Sequence, residues 1–78
     1  MPTILRIGPF RFFIYSNEND EPPHIHIQRD NMLAKFWLSP VVLAGSTRFS
    51  AKELRKLEKL VAENEHTLME AWNEYFSG

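Results

Sequence analysis

Cysteine is absent from all 78 residues, which excludes disulfides and thiolate metal sites alike. An excess of either charge is missing too. Nine Lys and Arg face ten Asp and Glu, for a net charge of −1. A bulk pull on nucleic acid is therefore excluded, and any such attraction must come from local patches. No apolar run approaches the roughly 20 residues of a membrane span, and the opening residues lack the apolar core of a secretory leader. This predicts a cytoplasmic protein with no membrane partner. The chain also lacks repeats, linkers, low-complexity tracts and any catalytic signature of high specificity.

What is present is apolar and aromatic. Hydrophobic residues make up 44%, with six Phe, two Tyr and two Trp. That supports a packed core and argues against disorder. The length fits one domain over residues 1–78, one that buries only about 60% of its unfolded surface.

The most informative stretch is Glu21-Pro22-Pro23-His24-Ile25-His26-Ile27. Each proline fixes its own φ and pushes the residue before it toward extended geometry. Polar and apolar residues then alternate with the period of a half-buried strand. His24 and His26 leave one face of that strand, and Ile25 and Ile27 leave the other.

Around it, Thr3–Ile7 and Phe10–Tyr15 flank Gly8-Pro9 and read as a hairpin. Residues 16–21 form a polar loop, and the His strand runs over His24–Arg29. Asp30-Asn31 is a turn, and Met32–Leu38 is the next strand. After Ser39-Pro40, Val41–Ala44 reads as a short edge strand and Gly45–Thr47 as a loop. Ser50 and Glu53 fit a capping box, with Phe49 placed to staple against Leu54.

Leu54, Leu57, Val61, Leu68, Ala71, Trp72 and Tyr75 recur at helical spacing, widened by Leu60 and Phe76. They predict a long helix over 51–76, bent or split near Asn64. The fold expected is α+β: an antiparallel meander of three to five strands within residues 1–44, with a helical part at 50–76 packed on one face.

Strand phase places Arg11, Phe13, Tyr15, His24, His26, Gln28, Lys35 and Trp37 on the face away from the helix. Aromatics mixed with cations on an open sheet can stack bases and hold phosphates, and they can equally bind a protein. The plainer reading has Phe13 and Trp37 covered by other parts of the chain or by a second copy in a homodimer.

His24 and His26 are the candidate catalytic pair. One imidazole takes a proton and the other gives one, which suffices for RNA cleavage beside a 2′-hydroxyl once a cation holds the phosphate. Arg11, Tyr15, Gln28, Lys35 and Trp37 are the candidate substrate-binding set. Arg29 falls on the wrong face. A His-x-His strand can also fill two corners of a zinc site. A third ligand is then needed, and only His66 or the carboxylates of Asp20 and Glu21 offer one. The expectation is thus neither metal nor cofactor. Arg48, Lys52, Arg55, Lys56 and Lys59 form a basic patch in the first half of the helix. Glu63, Glu65, Glu70 and Glu74 crowd the second half, an order the macrodipole disfavours by a few tenths of a kcal/mol per charge. A ligand-binding patch explains that order, and so does a solvated face.

Several runs resemble a known family. They are Pro2-Thr3-Ile4-Leu5-Arg6-Ile7-Gly8, Arg11 to Glu18, Glu21 to Ile27, Ala34-Lys35-Phe36-Trp37-Leu38 and Trp72-Asn73. Together they are similar to the small prokaryotic family catalogued as domain of unknown function 4160, across nearly the whole chain. The resemblance implies the toxin half of a toxin–antitoxin pair, with a cognate antitoxin of the domain-of-unknown-function 2442 type as partner. It carries over no catalytic residue. The RNA or DNA target is an expectation from the His face, and the alternative is a non-enzymatic module that binds a partner through its aromatic face.

Overall fold

The computed structural model describes residues 3–18 and 20–77. Of the positions discussed above, Pro2 and Asn19 lie outside the described residues. Five strands, β1 (Thr3–Ile7), β2 (Phe10–Phe13), β3 (His24–Arg29), β4 (Met32–Leu38) and β5 (Val41–Thr47), form one antiparallel sheet in chain order. Two helices follow, α1 (Ala51–Glu63) and α2 (Glu65–Phe76).

Local chemistry accounts for the turns. Gly8 and Asp30 take left-handed φ values of 56° and 54°, which glycine adopts freely and aspartate tolerates. β3 and β4 begin and end where the alternation placed them. The hairpin strand is shorter than expected, because Ile14 and Tyr15 leave the ladder after Phe13. The edge strand is longer. Gly45, Ser46 and Thr47 have loop composition, yet they pair with Lys35, Ala34 and Leu33. The register jumps by one residue at Ala44, a bulge that keeps β5 on the backbone groups of β4.

The core holds Phe10, Phe12, Ile14, Ile25, Ile27, Ala34, Phe36 and Leu38 from the sheet side. Leu57, Val61, Leu68 and Trp72 meet them from the helices. The second, third and fourth strands thus bury the apolar sets that alternation assigns them. Met32, Leu54 and Leu60 pack at the margin.

The helical region is divided rather than continuous. Asn64 sits at φ −112°, ψ 15°, outside helical geometry. Its side-chain Nδ2 donates to the Leu60 carbonyl at 2.8 Å, in competition with the backbone ladder. Its own carbonyl accepts from Leu68 at 3.0 Å and so starts the next turn. The expected apolar stripe survives the break except at Tyr75. That ring is 41% exposed, while Phe76 packs inward against Trp72 at 4.3 Å.

The start of α1 is a full capping box: the Glu53 amide donates to Ser50 Oγ at 3.1 Å and the Ser50 amide donates to Glu53 Oε1 at 3.3 Å. Glu53 also pairs with Arg29 at 3.1 Å, tying α1 to the end of β3. Replacing Ser50 by Ala should cost about 1 kcal/mol. In a domain of this size that lowers Tm by roughly 4–8 °C. Thermal melts of wild type and Ser50→Ala check it, and equal midpoints would show that the box does not hold the helix start.

Candidate functional site

Cross-strand register gathers the site. His24 lies opposite Trp37, His26 opposite Lys35, Phe13 opposite His26, and Arg11 opposite Gln28. Opposed residues share a face, so these seven side chains stand together on the side of the sheet away from α1.

The two imidazoles converge on one atom. His24 Nε2–H donates to Glu18 Oε1 at 2.8 Å, and His26 Nε2–H donates to the same oxygen at 2.7 Å. Glu18 comes from the loop between β2 and β3. That loop is drawn in by a hydrogen bond from the Glu21 amide to the Glu18 carbonyl at 3.2 Å. His24 Nδ1–H donates to the Pro22 carbonyl at 2.9 Å. The neighbouring Pro23 carbonyl accepts from the Leu38 amide at 3.0 Å. The proline pair therefore presents two carbonyls in fixed directions, one to the strand ladder and one to the His24 ring.

The two rings differ in access, which corrects the expectation that both face solvent. His24 is 0% exposed and His26 14%. Alternation predicts the face correctly but not its cover: Trp72 of α2 lies 4.8 Å from the His24 ring, and Trp37 lies 5.7 Å from it. His24 can therefore position its neighbours, but it cannot itself reach a substrate. His26 is stacked on Phe13 at 5.4 Å and met edge-on by Tyr15 at 4.6 Å.

Phe13, expected on the open face, is buried beneath Arg11, Tyr15 and His26. Arg11 lies 4.5 Å above the Phe13 ring, donates from Nε to Thr3 Oγ1 at 2.7 Å and donates to Gln28 Oε1 at 3.3 Å. Lys35 pairs with Glu21 at 2.6 Å, with its ammonium 4.7 Å from the Trp37 ring. A shallow pocket of about 150 Å³ opens beside this group, lined by Tyr15, His26, Lys35, Ser46 and Thr47 among others.

Glu18 is the residue that sequence reasoning missed. The residues that the sequence offers beside the histidines are Asp20, Glu21 and His66. Glu21 instead holds Lys35, and His66 sits on α2, 88% exposed and paired with Glu70. The signal available was the acidic loop preceding the His strand, although no periodicity says which loop carboxylate turns inward. Arg29 faces the helix side, as alternation placed it. The basic residues Arg48, Lys52, Arg55, Lys56 and Lys59 are exposed at and before α1. They lie across the sheet from His26 and do not join this site.

Electrostatics follow the geometry. Burial pushes the Glu18 carboxyl up, but the hydrogen bonds from His24 and His26 outweigh it, and the group is held below its ordinary value of 4.5. Burial pushes His26 below its ordinary value of 6.5, against the opposing pull of Glu18. Among the described residues, Glu18, His24 and His26 are the group whose ligand atoms all lie within 4.8 Å of one another and could hold a metal.

The model of the family described as Domain of unknown function (DUF4160) matches residues 10–73. The chain belongs to that family. No curated protein and no solved structure matches it.

Both shifted groups have folded-state values below their unfolded ones. The stability they contribute is present above the unfolded value and lost as pH falls. In metal-free protein, Tm should drop below about pH 6.5, where the unfolded chain's His26 takes up a proton that the folded ring resists, and further below 4.5, where the unfolded chain's Glu18 does the same. In His26→Ala the loss between pH 7 and pH 5 should be smaller than in wild type. Melts of the two proteins across pH check this, and parallel profiles would uncouple His26 protonation from folding.

Proposed function

We propose that this member of the family acts on nucleic acid from the sheet face that carries His26, as the toxin half of a cytoplasmic toxin–antitoxin pair. RNA is the favoured substrate. The observation that carries the reading is the asymmetry of the His pair. One ring is sealed and charge-compensated, and the other reaches a pocket with a cation directly across the strand.

Lys35 is the phosphate ligand. Its pairing with Glu21 is a partly exposed ion pair, worth about 0–1 kcal/mol, which a phosphate can displace. Tyr15 and Trp37 offer rings for base stacking, and Arg11 and Gln28 flank them. His26 is the catalytic residue. As a neutral ring donating through Nε2–H to Glu18, it carries its lone pair on Nδ1. There it takes the proton of a 2′-hydroxyl as the 2′-oxygen bonds to phosphorus. The bond from phosphorus to the 5′-oxygen breaks, and water protonates that leaving oxygen. Such base catalysis contributes about 10²–10⁴-fold. Glu18 and His24 are positioning residues that hold the His26 tautomer. A cognate antitoxin of the domain-of-unknown-function 2442 type would cover the same face.

A second reading rests on Leu33 and Val42. They are 39% and 48% exposed and lie on the Trp37 face, Val42 directly opposite Trp37 and Leu33 beyond Lys35 along β4. Exposed apolar groups beside a Trp suit a protein partner, so the face would bind rather than cut.

Purified protein incubated with total RNA and with DNA separates the two. His26→Ala should lose cleavage by about 10²-fold or more and relieve growth inhibition. Lys35→Ala should weaken binding and lower its salt dependence. If neither nucleic acid is bound or cut and His26→Ala still inhibits growth, the nucleic-acid reading fails. Loss of partner capture in Val42→Asp, with no effect on RNA, would then favour the binding module.

A further inference from the structure

We infer that Glu18, His24 and His26 form a three-ligand site for a divalent transition metal of the zinc class. This goes beyond the nucleic-acid reading and does not rest on it.

Three protons have to be placed around the two rings. His24 Nδ1 faces the Pro22 carbonyl, which can only accept, so Nδ1 carries a hydrogen. Its Nε2 faces a carboxylate oxygen at 2.8 Å, so a second proton must lie between those two atoms. His26 Nε2 brings a third to the same oxygen at 2.7 Å. Two imidazole nitrogens thus converge on one carboxylate oxygen, at a histidine with no solvent exposure. Once those two protons leave, two imidazole lone pairs and a carboxylate meet at one place, which is a donor set for a metal. The two shared protons stand where the cation would.

The set selects its ion. Two imidazoles and one carboxylate suit zinc and its neighbours, whereas magnesium and calcium require oxygen ligands. Bond lengths of about 2.0–2.1 Å imply ligand atoms about 3.3 Å apart around a tetrahedral ion. The two spacings to Oε1 are hydrogen-bond lengths, about half an ångström short of that, and all three ligand atoms lie within 4.8 Å of one another, so Glu18 has to withdraw as an ion enters. It can do so because it is carried on a loop. The His24 Nδ1–H bond to the Pro22 carbonyl is the outer-shell contact that fixes a metal-binding imidazole with Nε2 as the ligand atom. Trp37, Trp72, Phe13 and Tyr15 surround the two rings with aromatic walls that limit water.

Occupancy also has a consequence for His26. With Nε2 on the metal, its proton moves to Nδ1, and the lone pair needed to deprotonate a hydroxyl is gone. A bound ion and the base chemistry proposed above are mutually exclusive at this ring.

The test uses tag-free, chelator-treated full-length protein, titrated with zinc by calorimetry and with cobalt(II) by visible absorption. One equivalent per chain is expected, with the d–d bands of a tetrahedral cobalt site. Glu18→Gln and His26→Gln, each shown to be folded by circular dichroism, should weaken binding. The loss should be at least the roughly 10–100-fold that follows removal of an outer-shell partner. His66→Ala should bind as wild type, and magnesium should not compete. The inference is overturned if zinc does not bind stoichiometrically, if both site variants bind it unchanged, or if His66→Ala alone abolishes binding. Because the readout contains no nucleic acid, a positive titration stands even where RNA is left intact, and a negative one leaves the RNA assay unaffected.

Discussion

One carboxylate oxygen holds the molecule's polar centre together. Burying an imidazole that donates from both nitrogens is tolerable only where each proton has an acceptor, and where any charge has a partner. Glu18 Oε1 and the Pro22 carbonyl supply these for His24. Among the described residues no buried side-chain nitrogen or oxygen is left without a partner. Because that account closes, Trp72 can lie directly on the His24 ring and seat α2 against the end of the sheet. The site is therefore part of the packing. Removing Glu18 would strand a buried donor, at about 1–3 kcal/mol, and loosen the helix above it.

The same loop makes a second, weaker pairing of the same kind. Glu21 holds Lys35 as Glu18 holds the histidines. The magnitudes separate their roles. A half-open lysine pair contributes little and exchanges with any competing anion. The Glu18 oxygen, which accepts two imidazole protons beside a sealed ring, gives up its partners only to something that satisfies both nitrogens. One face thus carries a replaceable cation beside a fixed acid–imidazole unit, with aromatic rings between them.

Period-two alternation at His24 to Ile27 and Met32 to Leu38 settled which side chains meet, and the Ser50 and Glu53 pair settled where α1 begins. These are local rules, and they hold because the sheet has one apolar face whose register cannot slip without exposing it. What was not legible depends on elements distant in sequence. No pattern at His24 announces Trp72, 48 positions on, so the face was readable and its cover was not. Glu18 lies in a loop, where side-chain direction has no period. Gly45 to Thr47 became strand because β4 offered unpaired backbone groups, a constraint that outweighs loop composition. Asn64 divides the helix by bonding its own preceding turn, which an apolar stripe cannot reveal.

That division also changes the meaning of the basic stripe. In one helix over 51–76, bases precede acids and oppose the macrodipole. In two helices, Glu53 falls in the first turn of α1 and Glu65 in the first turn of α2, where acids are favoured. The break at Asn64 thus accounts for Glu65, whereas Lys52 stays in the first turn of α1 and neither helix carries a base in its last turn. Lys56 is accounted for by its approach to the Phe10 ring at 5.7 Å. The stripe also stands on the opposite side of the sheet from Lys35, so one phosphate backbone would have to wrap an edge of the domain to touch both. A solvated helix face accounts for these charges with fewer requirements. The chemistry that needs explaining is then confined to the loop carboxylates, the two imidazoles and the rings that enclose them.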